Sequence, residues 1–387
     1  MTAAGWDAAR RVLAVRLDAM GDVLMTAPAL AAIKGSGAGT RHLTLLTSPA
    51  GAAVARLIPA IDDVIVYRAP WSKLPPGTLP DPDADLALIE MLRARRFDAA
   101  AIFTVHSQSA LPATLICHLA GIPLRLAYCR ENPYDLLTDW VRETEPAAHL
   151  RHEARRQIDL VASVGLRGPE APGLVLPASA ERAAAARLRA LGLDGSRNWC
   201  VLHPGASAPS RRAPLATFVK AAEILTQRHG WRILVTGHGA EATLADRIAT
   251  LSGVAATGPM ELPDLAALIA RAPVLVTNNT GPAHLAAALG TPVVDLYALT
   301  NLQHAPWKAK GRVLFRDVPC RVCLKSVCPE GHHRCLADID PAEVAAAALE
   351  CAGGAAPAIP EDPARIFGRD GITRGADEAR DLPASVA

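Results

Sequence analysis

At 387 residues, half of them hydrophobic and a fifth charged, the chain is long enough for two ordinary domains and too apolar for intrinsic disorder. A formal net charge of +2 with both signs interspersed gives no electrostatic footprint for nucleic acid, although local basic clusters leave anionic small molecules open as ligands. No apolar run approaches the ~20 residues of a membrane helix, and the N-terminus MTAAGWDAARR lacks the basic, apolar and small-residue order of a signal peptide, so a cytoplasmic protein is expected.

In chain order, strand candidates at 11–16, 42–46, 64–67 and 99–103 alternate with helical stretches such as 23–33 and 86–95. Pro28 is expected to kink or shorten the first of these helices, and Pro82 precedes the second. The stretch 168–178, rich in proline and glycine, reads as a linker ahead of an Ala/Arg-rich helical segment. A second series follows: strand 199–203, helix 216–229, strand 232–236, helices 241–251 and 263–271, strand 274–277, helix 282–289 and strand 292–296. Strands that are almost continuously apolar and separated by helices imply parallel sheets covered on both faces. An α/β chain of two halves, 1–170 and 175–352, is therefore expected. Neither half carries G-x-G-x-x-G after a strand, which argues against a simple dehydrogenase. From 353 to 387 Pro, Gly, Asp and Arg mix without periodicity, and a disordered tail is expected there.

Ligands of open parallel sheets bind outside the carboxyl ends of the strands, and three strand-to-helix joints carry unusual polar residues. The first runs from Asp18 to Asp22. Asp22 reads either as an N-cap for the following helix or as a general base, since an ionised but poorly solvated carboxylate suits removal of a proton from a hydroxyl. The second, HPGASAPSRR (203–212), offers backbone and hydroxyl donors at Gly205 and Ser207, with charge from Arg211 and Arg212. The third, TNNTGPAH (277–284), ends a strand at Asn279, Thr280 and Gly281 just before Pro282, which suits a first helical turn whose free N–H groups make an anion site, or an ordinary capped helix. Two donor-rich joints in one half suggest one ligand held between them, and a diphosphate fits better than a carboxylate.

The stretches RLDAMGDVLMTAPAL, VLHPGASAPSRRAP and VTNNTGPAHLAAALGTPVV, in this order and spacing, resemble the signature segments of glycosyltransferase family 9, the ADP-heptose:lipopolysaccharide heptosyltransferases and their relatives. The resemblance covers about residues 11–350. It implies two Rossmann-like domains facing a cleft (the GT-B fold), with the acceptor on the N-terminal half and the nucleotide-sugar on the C-terminal half. It places the catalytic base on Asp22 and the residue that neutralises the diphosphate on Arg211. Ser207 would bind phosphate, Thr280 and Gly281 would form the second phosphate cradle, and His284 would stand one helical turn on. Glu241 would hold the ribose and Met260 the adenine. The family commonly has Asp where this chain has Asn279, which would contact the donor sugar without a charge. The implied reaction is an inverting, single-displacement transfer of a sugar, heptose first, from an ADP-sugar to a glycan or lipopolysaccharide-core-like acceptor. No metal or other cofactor is required for it, and no D-x-D motif appears in either joint. Transfer from another nucleotide-sugar, and a catalytically silent nucleotide-sugar-binding protein, are the alternatives.

For the acceptor, HSQS (106–109) and YCRENPY (128–134) are polar insertions among apolar stretches, read either as turns or as contacts made by Gln108, Arg130 and Asn132. Peripheral contact with the inner membrane surface is left open as a way of meeting such an acceptor. Of eight cysteines, Cys117, Cys129, Cys200 and Cys351 sit singly among apolar neighbours and read as buried thiols. Cys320, Cys323, Cys328 and Cys335, with His332 and His333 between the last two, are dense enough for a structural zinc site. Redox-sensitive thiols or a disulfide, plain packing, and an iron–sulfur cluster are the other readings.

Overall fold

Strand β1 (Arg11–Arg16) is buried at five of its six residues, as a central strand covered on both faces must be. In the computed structural model, which describes residues 3–37, 40–72, 77, 79–237 and 239–368, β1 lies inside a parallel sheet of order β3-β2-β1-β4-β5-β6. Its companions are β2 (His42–Thr47), β3 (Asp63–Val66), β4 (Ala99–Ile102), β5 (Leu124–Cys129) and β6 (Asp139–Arg142). The helices of this unit are α1 (Ala3–Ala8), α2 (Met20–Gly35), α3 (Pro49–Ala55), α4 (Pro82–Arg95), α5 (Leu111–Leu119) and α6 (Glu153–Ala162). One face of the sheet buries Leu13, Val15, Ile102 and Ala127 against Leu88 and Leu92 of α4 and Ile116 of α5. On α2 the residues from Val23 to Ile33 are all buried.

The first unit ends at Pro172 and the second begins at Gly173. The second repeats the plan with β7 (Trp199–His203), β8 (Arg232–Val235), β9 (Ala255–Ala256), β10 (Leu275–Asn278), β11 (Val293–Leu296) and β12 (Gly311–Leu314), in the parallel order β12-β11-β10-β7-β8-β9. Its helices are α7 (Ala178–Ala190), α8 (Leu215–Glu223), α9 (Ala242–Ser252), α10 (Leu262–Arg271), α11 (Gly281–Leu289), α12 (Arg334–Ala337), α13 (Pro341–Glu350) and α14 (Pro363–Phe367). Leu202, Val235, Val276 and Leu296 of this sheet pack on Phe218 of α8, Ile248 of α9 and Val344 of α13. Each sheet has the doubly wound order in which chain direction switches beside the first strand. The switch lies between β1 and β4 in one unit and between β7 and β10 in the other, the place where such sheets bind ligands.

Three expectations change. The first long helix starts at Met20 rather than 23 and runs through Pro28 to Gly35, so the apparent turn Met20-Gly21-Asp22 is its first turn. Residues 128 and 129, the start of the expected polar insertion 128–134, are the end of strand β5 (Leu124–Cys129). Its buried Arg125 is satisfied by the Leu136 and Asp135 carbonyls, so a charge inside a strand stays hidden from a search for apolar runs. The expected tail is ordered as far as 368. Ile359 donates its N–H to Ala309 O at 2.8 Å, and the buried Phe367 ring packs on Tyr297 and Phe315, because two apolar side chains in an otherwise polar stretch find a slot in the second unit. Residues 369–387 of that expectation lie outside the described residues.

Candidate active site

At the switch point of the first sheet the organising group is Arg16, the last residue of β1, which has no exposed surface. Its guanidinium pairs with Asp18 at 2.9 Å and Asp22 at 3.3 Å, and donates to Glu153 Oε1 of α6 at 2.9 Å. Burial works against the charge, but the carboxylates of Asp18, Glu153 and Asp22 more than offset it and raise the Arg16 pKa. Asp22 is not the N-cap. It occupies the third position of α2, and its Oδ2 accepts from the backbone N–H of Ala19, the residue before the helix, at 3.1 Å. The carboxylate therefore closes the helix start and faces the Arg16 charge at once. Asp18 accepts from Gln108 Nε2 at 2.7 Å. Burial pushes the Asp18 pKa up, Arg16 pulls it down, and the nearby Asp22 charge adds to the rise.

At the switch point of the second sheet, Asn278 at the end of β10 stitches down the loop after β7. Its Oδ1 accepts from Ala213 N at 2.9 Å and its Nδ2 donates to Pro204 O at 2.7 Å. The loop carries Ser207, exposed, and Arg211, half-buried at the end of a short 3-10 turn (Pro209–Arg211). The Arg211 backbone N–H donates to Ala208 O at 3.0 Å, but its guanidinium makes no hydrogen bond or ion pair among the described residues, and its positive charge reaches the buried Tyr297 phenol. Helix α11 begins beside it with Thr280 as N-cap in extended conformation. The Thr280 hydroxyl makes no capping bond, so the ordinary capped helix is not what forms. An unpaired guanidinium on a loop tied by Asn278 to the end of β10, together with uncapped N–H groups at the positive end of the helix that follows β10, has the chemical character of an anion site. His284, one turn on, is buried.

Glu241 lies at the start of α9 with its carboxylate 3.4 Å from His203 Nε2. A Cβ on Gly205 would stand 2.2 Å from the Glu241 carboxyl carbon, so only glycine lets this side chain lie over the loop.

A second carboxyl hides deeper. Asp295, on β11, is fully buried, and burial pushes its pKa up to about 7 against the opposing hydrogen bond from Asn279. A folded-state pKa above the unfolded value means that the folded chain holds the extra proton between about pH 4 and pH 7, so stability falls as pH rises through that window. Urea denaturation should show the wild-type chain losing on the order of 2 kcal/mol relative to Asp295→Asn between pH 5 and pH 8. Parallel pH profiles for the two proteins would refute the assignment.

The family model for "Glycosyltransferase family 9 (heptosyltransferase)" matches residues 86–334. The chain belongs to glycosyltransferase family 9. Lipopolysaccharide heptosyltransferase 1 of Pseudomonas aeruginosa is 27% identical over 328 residues, 82% of this chain and 87% of that protein. Lipooligosaccharide heptosyltransferase 2 of Campylobacter jejuni is 30% identical over 153 residues, 37% of this chain and 47% of the relative, so about half of that protein's length is spanned. Among solved structures, the Escherichia coli ADP-heptose lps heptosyltransferase II matches with a TM-score of 0.68 at 21% identity, over 89% of this chain and 99% of that one. Two Rossmann-like units of six parallel strands, the GT-B class, are thus what this family 9 glycosyltransferase has in common with its structural relatives.

The other expected site residues fall in three places. Met260 lines a cavity with Arg187, Pro259, Asp264 and Leu268, beside the carboxyl-end loops of the second sheet. Gln108 lines a cavity of the first unit with Asp18, Phe103 and Trp71. Arg130 and Asn132 are engaged with backbone: one Arg130 nitrogen, Nη2, donates to His106 O and Glu145 O, and Asn132 Oδ1 accepts from Tyr134 N at 2.9 Å.

Among the described residues, no three His, Cys, Asp or Glu side chains are gathered closely enough to hold a metal ion. Cys320, Cys323, Cys328 and Cys335 are half-buried free thiols. Cys320 Sγ lies 3.7 Å from His332 Nε2, while Cys335 packs against the core of the second unit. The segment nonetheless supports the phosphate-loop candidate. Ser210, next to Arg211, donates through its N–H and Oγ to the Ser326 and Lys325 carbonyls at 3.0 and 2.7 Å, and His333 Nε2 lies 2.6 Å from Ser210 O.

The sequence reading passed over Arg16, Glu153, Asn278, Ser210 and Asp295. Arg16 and Asp295 each left a usable signal, a charge standing alone within an apolar strand.

Proposed function

We propose that this family 9 enzyme transfers heptose from ADP-heptose, with inversion, to a hydroxyl of a lipopolysaccharide-core-type acceptor. The observation that carries the reading is the unpaired Arg211 guanidinium beside the uncapped start of α11 at the switch point of the second sheet, a receptor for a leaving diphosphate. The name of the Escherichia coli structure, an ADP-heptose enzyme, supports the donor. Ser207 adds a hydroxyl donor, Glu241 receives the ribose hydroxyls, and Met260 lies against the adenine. Asp22 accepts the proton of the acceptor hydroxyl, whose oxygen attacks the anomeric carbon. The bond from that carbon to the diphosphate oxygen breaks on the opposite face, and ADP departs with the electron pair. Negative charge developing on ADP is met by Arg211 and the helix N-terminus, with no step routed through a metal. Among the described residues no helix is long and apolar enough to cross a membrane, so a glycolipid acceptor would be met at a bilayer surface, which we place on the cytoplasmic side.

The test is calorimetry with ADP. Arg211→Ala should weaken ADP binding about tenfold to a hundredfold, the worth of a charge-assisted hydrogen bond. Unchanged affinity would remove Arg211 from the phosphate site. A thermal-shift panel of nucleotide-sugars tests the donor, with stabilisation by UDP- or GDP-sugars but not ADP-heptose ending the heptose reading.

A further inference from the structure

The guanidinium of Arg16 is aimed from α6 rather than by the aspartates it serves. Its Nη1 donates to Glu153 Oε1 at 2.9 Å, whereas its Nε and Nη2, in ion-pair range of Asp18 and Asp22, make no hydrogen bond among the described residues. Glu153 Oε1 accepts a second bond from Gln157 Nε2 at 2.6 Å, and the other proton of that amide goes to Thr104 O at 2.9 Å. Glu153 and Gln157 are both fully buried. Thr104 belongs to the loop after β4 whose Gln108 holds Asp18, so a closed ring runs from that loop through Gln157, Glu153 and Arg16 to Asp18 and back. Charge does not balance inside it, because one guanidinium faces three carboxyl groups. The surplus is felt across the ring: burial is the main cause of the raised Asp18 pKa, and the charges of Asp22 and Glu153 both add to it.

We infer that Glu153 is the positioning residue of the base: it fixes Arg16 and draws off part of its positive charge, so that the Asp22 carboxylate keeps enough proton affinity to deprotonate the acceptor hydroxyl. The inference rests on the reading of Asp22 as base and adds the residue that tunes it from behind. With Glu153 uncharged, the whole guanidinium charge would fall on Asp18 and Asp22, and the repulsion from a third carboxylate would vanish. Both changes favour the ionised aspartate and make it a weaker proton acceptor. The other charges nearby are already committed. Arg155, Arg156 and Asp159 of α6 pair with Glu170, Glu143 and Arg151, and α3, packed on α2, carries none. Burial, with the Arg156 charge adding to it, pushes the pKa of His106 in the loop after β4 down to about 4, so that imidazole stays neutral at working pH. His152 caps α6 beside Glu153, its Nδ1 accepting from Ala154 N at 3.1 Å.

The experiment records kcat against pH, as ADP released from ADP-heptose with heptose-free lipopolysaccharide core as acceptor, for the wild-type chain and for Glu153→Gln, Glu153→Met and Glu153→Asp. Glutamine keeps an oxygen for Arg16 Nη1 and Gln157 Nε2 and removes only the charge. Methionine removes charge and acceptor at similar volume, and stands in if the buried amide hinders folding. In both, the acid limb of the profile should move about one pH unit lower, the effect of one charge removed at short range in a protein interior. The plateau should fall about threefold to tenfold, as a weaker base requires, while KM for ADP-heptose stays within about twofold. Glu153→Asp retains the charge and should keep the limb where the wild type has it. The same shift is expected on a His152→Asn background, where asparagine still caps α6; its loss there would trace the limb to the imidazole and overturn the inference. A limb unmoved in the two neutral variants, or moved equally in Glu153→Asp, would reduce Glu153 to a structural residue and leave the base reading standing. Asp22→Asn retaining activity would remove the base reading and this inference together.

Discussion

Asp22→Asn should lower turnover about a thousandfold, the usual contribution of a positioned general base, while ADP-heptose binding stays within twofold of wild type. The asparagine side chain keeps an oxygen for the Ala19 N–H that Asp22 now accepts from at 3.1 Å, so the start of α2 is preserved. It loses the ability to take a proton, and it weakens one of the three ion pairs around Arg16 without emptying the cluster. The donor residues proposed above belong to the second unit, so a loss confined to kcat is the signature expected of the base. Asp18→Asn is the informative partner, because Asp18 shares the same arginine and is held by Gln108. If Asp22→Asn keeps most of its activity at saturating acceptor while Asp18→Asn loses it, the base is Asp18 and the role proposed for Asp22 is wrong.

The order of strands and the three polar joints could be read from the sequence because buried parallel strands are nearly continuous apolar runs, and what interrupts them at the carboxyl end stands out. Val12 to Val15 and Val274 to Val276 are such runs, and each leads into a joint placed at a switch point. What stayed hidden was charge used as internal structure. Arg16 and Asp295 sit inside strands, and their meaning depends on partners far along the chain: Glu153 is 137 residues from Arg16, and Asn279 is 16 residues before Asp295. No local pattern announces such a pairing. Asp22 illustrates the intermediate case. Its residue type pointed to the helix start, but whether it would be the N-cap or a member of the first turn depended on α2 starting at Met20, a boundary that propensity fixes poorly. Arg130 and Asn132 are open in the sequence between turn residues and ligand contacts, and the structure shows them bonded to backbone, Arg130 to the carbonyls of His106 and Glu145 and Asn132 to the N–H of Tyr134.

Arg16→Met should lower the free energy of unfolding at pH 8 by about 3–5 kcal/mol, the cost of removing one partner from a buried charge cluster. Methionine fills similar space, so packing is conserved and the electrostatic loss is isolated. It leaves Asp18, Asp22 and Glu153 converging on a site with no cation, and Glu153 has no exposed surface through which water could help. Burial already raises the Asp18 pKa in the native chain, and Arg16 is the strongest influence holding it down. Without the arginine the folded-state value rises further above the unfolded one. The folded variant then binds protons that the unfolded chain does not, and its stability is greatest at low pH and declines as pH rises through the shifted value. The penalty relative to wild type should therefore be smaller at pH 5 than at pH 8, and Glu153→Gln introduced into Arg16→Met should recover part of it by removing one of the stranded charges. Denaturant titrations at the two pH values decide the matter. A penalty below about 1 kcal/mol at pH 8 would place the pairs among those of little net worth, and a penalty independent of pH would assign the loss to packing. If the pH-dependent penalty is found, the arginine at the end of β1 is what lets the chain gather carboxylates at a switch point, so that one of them can be an ionised base in a place where water is scarce.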